Sequence, residues 1–240
     1  MSFEEHAEAW LRWARTIGHD AYWEYRDAFF EAMLPAPGRR TLEVGCGEGR
    51  VARDLARHGH RVVALDVSPT LAASAATADP AGRYLAADAG ALPFPDESFD
   101  LVVAYNSLMT VDDLPAATAE AACVLERGRS LCICVTHPTT DAGRFQSPEP
   151  DAPFVISGSY LGHHRVEDPV ECDGLQMTFT GWRYPLESYA RALEDAGLLI
   201  DRLREPPAPG GAVAARPSSG RWRRLPMVLH LRAVKVPCVP

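Results

Sequence analysis

The chain has 240 residues, a length that fits one α/β domain and can bury a sizeable core without disulfides or metals. Its hydrophobic content of 47% and charged content of 23% are ordinary for a globular enzyme, and no apolar run approaches the ~20 residues of a membrane span. A net charge of −8 argues against a nucleic acid as the main partner, because phosphate binding needs a basic face.

The amino-terminal stretch from Phe3 to Leu34 predicts two helices. Trp10, Trp13 and Ile17 share one face of the first, and the second is rich in aromatic side chains. Aromatic residues at helical spacing most often pack on a neighbouring surface. The first residues, Met1-Ser-Phe-Glu-Glu-His, contain no basic segment and no signal core, so we expect a cytoplasmic protein.

The stretch from Thr41 to Arg50 is an apolar run that breaks into three alternating glycines, Gly45, Gly47 and Gly49, and resumes as a helix. This pattern predicts a strand, a tight turn and a helix N-terminus, where the backbone can approach a ligand closely. Dinucleotide-binding folds use the spacing G-x-G-x-x-G, which would require a glycine at position 50. The chain has Arg50 there, which disfavours an NAD-dependent enzyme.

Three carboxylates surround the predicted turn. Glu43 precedes it, and Asp66 and Asp88 end the next two predicted strands. Like charges ~4 Å apart repel by about 4 kcal/mol at an effective dielectric near 20, so this edge would not favour a pyrophosphate. It favours a cation, such as a sulfonium that also carries an ammonium group.

From position 39 onward the chain alternates short apolar strands with helices, which predicts a doubly wound, mostly parallel sheet with helices on both faces. In such sheets the ligand crevice lies at the carboxyl ends of the strands, where Glu43, Asp66, Asp88 and Tyr105 all fall. Asp112 and Asp113 ahead of Leu-Pro fit a helix start better than a metal site. We predict strands at about 41–45, 61–66, 83–87, 100–105 and 129–136, and helices at about 48–58, 69–77 and 113–126.

Residues 137–184 do not continue the alternation. Two strand-like runs flank Asp173-Gly174, a strong hairpin signal, within 169–179. His137, Tyr160 and His163 are candidate bases for an acceptor hydroxyl, because histidine titrates near neutral pH. Each also has a simpler interpretation, since His137 before Pro138 can simply end a strand and a histidine in a polar loop is most often solvated.

The carboxyl-terminal part predicts a helix at 185–196, strands at 198–204 and 227–236, and between them a mobile loop at 206–224. The six cysteines include no C-x-x-C pair and no histidine spaced to complete a zinc site, so we expect no metal. Cys132 and Cys134 share one face of a predicted strand and are interpreted as core residues.

Four segments in order, namely 41–50, 62–69, 86–94 and 98–103, resemble the successive motifs of class I S-adenosylmethionine-dependent methyltransferases of the small-molecule type. The resemblance implies that Asp66 holds the ribose hydroxyls and that Asp88 meets the adenine amino group. It implies a seven-stranded sheet with an antiparallel hairpin at its edge, an N-terminal helical lid at 1–38, and a domain at 39–240 whose insertion at about 137–184 covers the substrate. The expected cofactor-binding residues are Glu43, Gly45, Cys46, Gly47, Asp66, Val67, Asp88, Ala89 and Tyr105.

The activity implied is transfer of a methyl group from S-adenosylmethionine to an oxygen, nitrogen or carbon atom of a small-molecule acceptor. The alternative is a protein of this fold that binds the same cofactor without transferring its methyl group, such as a cyclase or a regulatory binder. We expect no nucleic-acid or membrane partner, and a monomer or homodimer.

Overall fold

The computed structural model describes residues 3–236. Cys238, the sixth cysteine, lies outside these residues. A short 3-10 helix, Phe3–His6, leads into the first α-helix, and a second 3-10 helix spans Pro217–Arg223. The α-helices are α1 Ala7–Arg15, α2 Tyr22–Met33, α3 Arg50–Arg57, α4 Pro69–Ala78, α5 Leu114–Val124, α6 Pro138–Asp141, α7 Leu186–Asp195 and α8 Gly210–Ala215.

Strands of three sheets alternate with these helices. The order in the main sheet, which has seven strands, is β10-β11-β5-β4-β1-β2-β3, and β11 alone is antiparallel to its neighbours. The strands are β1 Thr41–Val44, β2 Val62–Asp66, β3 Tyr84–Ala86, β4 Phe99–Tyr105, β5 Leu125–Thr136, β6 Gly143–Phe145, β7 Phe154–Ile156, β8 His164–Cys172, β9 Leu175–Arg183, β10 Leu198–Arg204 and β11 Val228–Lys235. The predicted doubly wound fold is therefore confirmed.

Alternation along the central strands places a hydrophobic core on each face of the sheet. Val102 and Ala104 of β4 pack in the core that α5 and α7 cover, whereas Leu101, Val103 and Tyr105 pack on the α2 and α3 side. Because successive strand residues point to opposite faces, one apolar run supplies both cores. Cys132 and Cys134 of β5 are fully buried on the α2 side, as predicted.

Side-chain caps fix where two of the crossover helices begin. The hydroxyl of Ser68 accepts a hydrogen bond from Leu71 N at 3.1 Å ahead of α4. The carboxylate of Asp113 accepts one from Ala116 N at 2.9 Å ahead of α5. Both helices have proline in their first turn. The helix-start interpretation of Asp113 is thus confirmed.

Two expectations, one about the carboxyl-terminal part and one about the first helix, were wrong. The segment at 206–224 is not a featureless loop, because it forms α8 and the second 3-10 helix and its arginines bind backbone carbonyls. Arg216 donates to Gly18 O at 3.0 Å, and Arg221 donates to Ser147 O at 3.2 Å. Ile17 does not share the buried face of the first helix, since it follows the end of α1 and is 77% exposed.

The predicted hairpin around Asp173-Gly174 is confirmed and is longer than expected. Strands β8 and β9 pair from His164 opposite Arg183 to Cys172 opposite Leu175. Both turn residues, Asp173 and Gly174, have positive φ, as a two-residue hairpin turn requires. None of the helices within 3–236 has the length and apolar composition that a bilayer crossing requires.

Candidate functional site

The glycine turn after β1 lies tightly against two neighbouring segments. The N–H groups of Gly45 and Cys46 both donate to Leu65 O at 2.8 Å, which ties the turn to the end of β2. Gly45 has φ +75°, and a Cβ there would lie 2.3 Å from the Cβ of Ser107 in the loop after β4. Only glycine fits this position, and the turn therefore presents bare backbone at the carboxyl edge of the sheet.

Asp66, at the end of β2, is fixed by backbone hydrogen bonds. Its Oδ2 accepts from Gly47 N at 2.7 Å, and its Oδ1 accepts from Ser68 N at 2.9 Å. Burial raises the pKa of this carboxyl, while the two backbone bonds oppose the rise. A carboxylate has about four lone-pair sites, so Asp66 keeps the capacity to accept hydrogen bonds from ligand hydroxyls.

Glu43 is a buried carboxyl with an unsatisfied oxygen. Its side chain sits in the centre of the sheet with the residue only 1% exposed, and its Oε2 has no hydrogen-bond partner among the described residues. Burial, followed by the nearby charge of Asp66, raises the pKa of Glu43 to about 8, against the lowering effect of Arg53 and Arg50. Such a group is suited to a cationic ligand, which would compensate the charge that burial disfavours.

The remaining predicted cofactor residues lie along the same edge, because β1, β2 and β3 are adjacent in the sheet. Asp88, which follows β3, is exposed, and its Oδ1 accepts from Gly90 N at 2.8 Å. Val67 is 57% exposed beside Asp66, whereas Cys46 and Ala89 are buried. This edge thus offers fixed backbone, the buried carboxyls of Glu43 and Asp66, the exposed carboxylate of Asp88 and the exposed apolar side chain of Val67.

Tyr105 does not face this edge. Its ring packs edge-on against Tyr22 at 5.4 Å and Phe29 at 5.0 Å between ring centroids, within the core that α2 covers. Burial raises the pKa of its phenol well above the usual value. The side chain is therefore separated from the acidic groups, although its backbone ends β4 at the same edge.

Two residues at the edge had not been predicted to belong to it. The carboxylate of Glu4 accepts hydrogen bonds from the hydroxyls of Ser68 and Thr70, directly after Asp66. The indole nitrogen of Trp10 lies 2.9 Å from the point that a Cβ on Gly47 would occupy. The first helices therefore rest on the glycine turn. The sequence predicted Trp10 as an aromatic residue of the first helix, but no sequence pattern pointed to Glu4.

Arg50 holds these helices in place. Its guanidinium pairs with Asp20 at 2.6 Å and lies over the rings of Tyr22 and Trp10 at 4.3 and 5.5 Å. Both charges of the Arg50–Asp20 pair are largely buried. The residue that interrupts the dinucleotide glycine pattern thus links α3 to the segment between α1 and α2.

The insertion packs against the same helices from the other side. Phe179 of β9 contacts Trp10 and Trp13 of α1 edge-on, with centroid distances of 6.2 and 5.6 Å. The N–H of Trp182 donates to Met109 O at 2.8 Å in the loop after β4. Helix α1 and strand β9, from opposite halves of the chain, therefore form one aromatic layer beside the glycine turn.

The three candidate bases occupy different places. His137 is buried at the end of β5, where its Nδ1 accepts from Thr139 N at 3.2 Å and its Nε2 lies 2.8 Å from Glu205 Oε1. Tyr160 accepts a hydrogen bond from Leu186 N at 3.0 Å at the start of α7. His163 is exposed and packs 5.7 Å from Trp182. Their catalytic role stays a prediction, and for His137 it would require one ring nitrogen to give up its present partner.

Comparisons with known proteins agree with this geometry. A family model described as "Methyltransferase domain" matches residues 42–133. A demethylmenaquinone methyltransferase of Tropheryma whipplei is 29% identical over 181 residues, which cover 74% of this chain and 73% of the relative.

Solved structures extend the match to nearly the whole fold. An S-adenosylmethionine-dependent methyltransferase from Mesorhizobium loti superposes with a TM-score of 0.71 at 26% identity, covering 90% of this chain and 98% of its own. The cyclase SpnF shares the fold at 20% identity, with a TM-score of 0.59 and coverage of 88% and 79%. The chain thus contains a methyltransferase domain at residues 42–133 and is similar over most of its length to S-adenosylmethionine-dependent methyltransferases, and its cofactor is S-adenosylmethionine.

Proposed function

We propose that the chain methylates a small aromatic acceptor with polar substituents, held in a cavity of about 230 Å³ between the α1–α2 loop and the second 3-10 helix. This cavity is the observation that carries the proposal. Its lining comes from the α1–α2 loop, the first turn of α2, the second 3-10 helix with the residue before it, and one residue ahead of β11, namely Gly18, His19, Asp20, Ala21, Glu24, Arg216, Ser218, Ser219, Arg221, Trp222 and Met227.

The position of the cavity supports this assignment. Met227 accepts a hydrogen bond from His137 N at 2.9 Å, so one wall lies at the carboxyl end of β5. A larger cavity of about 500 Å³ lies among Arg61, Val62 and Arg83, at the amino ends of the strands. Ligands of parallel α/β sheets bind at the carboxyl ends, so the smaller cavity is the better acceptor site.

The size and lining of the cavity indicate the class of acceptor. Pockets for drug-sized ligands measure roughly 300–1,000 Å³, so a space of about 230 Å³ suits one or two rings. Trp222 and Met227 offer apolar contact, while Arg216 and Glu24 offer charge. Burial raises the pKa of Glu24, with Arg216 opposing the rise, and a perturbed carboxyl in a cavity is a candidate partner for an acceptor hydroxyl.

The relative from Tropheryma whipplei is named for demethylmenaquinone, a quinone that carries a long isoprenoid chain. We infer a ring of related chemistry for this chain, without the long tail. Bound S-adenosylmethionine supplies a methyl group on a positively charged sulfur. The chain contributes position and exclusion of water, and orientation of this kind can lower a barrier by ~7–11 kcal/mol.

We assign the cofactor to the edge formed by the glycine turn, with Glu43, Gly45, Cys46 and Gly47 around its charged part. Asp66 and Val67 would hold the ribose region, and Asp88 and Ala89 the adenine. The unsatisfied oxygen of Glu43 and the free lone pairs of Asp66 support this placement. Segments 1–38 and 137–184 would then act together as the lid.

The test measures S-adenosylhomocysteine formation with a naphthoquinol or catechol that lacks a tail and with a polyprenylated naphthoquinol. We expect turnover with the compounds that lack a tail. Glu24→Gln and Arg216→Ala should raise the acceptor KM about tenfold while the cofactor Kd stays within twofold. Turnover with the polyprenylated compound alone would refute the assigned cavity. Cofactor binding without S-adenosylhomocysteine from any acceptor would favour a non-transferring activity.

A further inference from the structure

The fold brings together three potential metal ligands that are far apart in the sequence. His19 lies in the loop between α1 and α2, and Cys172 and Asp173 lie at the tip of the β8–β9 hairpin. One donor atom from each residue lies within 4.8 Å of the other two, and within residues 3–236 no other group of three such residues meets this criterion. We propose that these side chains bind one zinc ion.

The donor set and its spacing fit zinc. Zinc takes thiolate sulfur, imidazole nitrogen and carboxylate oxygen, with bond lengths that place tetrahedral donors roughly 3.4–3.6 Å apart. The Nε2 of His19 lies 3.9 Å from Asp173 Oδ2, and the Sγ of Cys172 lies 3.8 Å from the same oxygen. Small side-chain rotations therefore suffice to reach ligating geometry, and a water molecule would complete the four-coordinate site.

One ligand is held in place and the others can adjust. The His19 side chain is only 5% exposed, and its ring packs edge-on against Trp13 at a centroid distance of 5.1 Å. Asp173 is 83% exposed and free to turn toward the ion. At present His19 Nε2 makes a long, 3.3 Å contact with Cys172 O, which a metal bond to that nitrogen would replace.

The site would link two segments of the lid. The loop that carries His19 leads directly into α2, and the hairpin tip belongs to the insertion whose Phe179 packs on α1. Because His19 also lines the acceptor cavity, the ion would fix one wall of that cavity as well as the closed position of the hairpin. A metal that binds only the folded state also stabilises it.

The experiment titrates Co²⁺ into the metal-free, reduced protein and records the absorption spectrum. We expect one equivalent to give a thiolate-to-cobalt band in the near ultraviolet together with visible bands of a four-coordinate ion, both abolished by one equivalent of Zn²⁺. Cys172→Ser should remove the near-ultraviolet band, and His19→Ala should weaken binding at least tenfold. Cys123→Ser is the matched control, because Cys123 is an exposed free thiol outside the group.

Zinc should also raise the Tm of the unmodified protein and of Cys123→Ser, but not that of Cys172→Ser. Absence of the cobalt band in the unmodified protein would overturn the proposal, as would a band that survives Cys172→Ser or disappears in Cys123→Ser. Circular dichroism verifies that each variant is folded. None of these readouts depends on methyl transfer, so the outcome is independent of the acceptor assignment.

Discussion

The proposed placement of the cofactor beside Glu43 predicts that binding is linked to release of a proton. With a pKa of about 8, this carboxyl is mostly protonated in the free protein at pH 7. A cationic ligand at the glycine turn would favour the carboxylate, so binding at pH 7 should release roughly 0.9 proton. Calorimetry of S-adenosylmethionine binding in buffers of different ionisation enthalpy measures this number, and Glu43→Gln should release none.

The same residue predicts the pH dependence of stability without cofactor. A carboxyl whose pKa is raised on folding holds its proton more tightly in the native state. Its contribution is therefore fully present below the ordinary pKa of 4.5 and is lost as the pH rises toward about 8. The loss is roughly 1.4 kcal/mol per pH unit, or about 5 kcal/mol over the whole window. Glu43→Gln should abolish this loss.

Urea unfolding at half-unit steps between pH 5 and 9 compares the two proteins. We expect Glu43→Gln to be the more stable at pH 9 and to bind the cofactor more weakly at every pH. Glu149→Gln, at an exposed carboxyl outside the site, controls for the change in net charge. Parallel stability curves for Glu43→Gln and the unmodified protein, together with zero proton release, would refute the assignment of Glu43.

Three further substitutions test the surroundings of the turn. Gly45→Ala places a Cβ 2.3 Å from the Cβ of Ser107, at a residue whose φ is +75°. Gly128→Ala is the control, because Gly128 has a similar φ of +71° but open space around it, and it should lower the free energy of unfolding by only ~1–2 kcal/mol. We expect Gly45→Ala to lower that free energy several times more, and urea unfolding of both variants measures the difference. Trp10→Ala removes the ring over the turn and should weaken cofactor binding about tenfold in calorimetry, with unchanged affinity contradicting its role in the lid. His137→Asn keeps a side-chain acceptor for the first turn of α6, so the variant should stay folded and, with His137 as the base, lose activity about a hundredfold; activity within about threefold would refute that role.

The glycine turn and the carboxyl edge where we propose that the cofactor binds were predictable, because their signals in the sequence are local. Alternating glycines between an apolar run and a helix define the turn, and Asp66 is the last residue of an apolar strand. The strand position of Tyr105 was also correct. The direction of its side chain was not predictable. Alternation places Tyr105 on the same side of the sheet as Leu101 and Val103, and the sequence does not show that α2 covers that side.

The lid was less predictable, because its contacts join segments that no local pattern relates. Glu4 reaches Ser68 across 64 positions, and the His19–Cys172 contact spans 153. Spacing rules for zinc sites detect only ligands that are close in the sequence. They therefore could not predict a site that combines His19 with Cys172. Only the packing of α1 against β9 brings these groups within reach of each other.

The part of the chain that matches the family model does not include the residues proposed to bind the acceptor. The family model matches 42–133, which spans β1 to most of β5 and therefore the cofactor edge. The proposed acceptor cavity is lined by residues within 18–24 and 216–227, all outside that range. The cofactor contacts can stay the same while these outer segments change. Similarity within 42–133 therefore indicates the methyl donor but not the acceptor. We therefore infer the acceptor from the proposed cavity, where the opposite charges of Arg216 and Glu24 around a space of about 230 Å³ favour a compact polar ring over a long apolar chain.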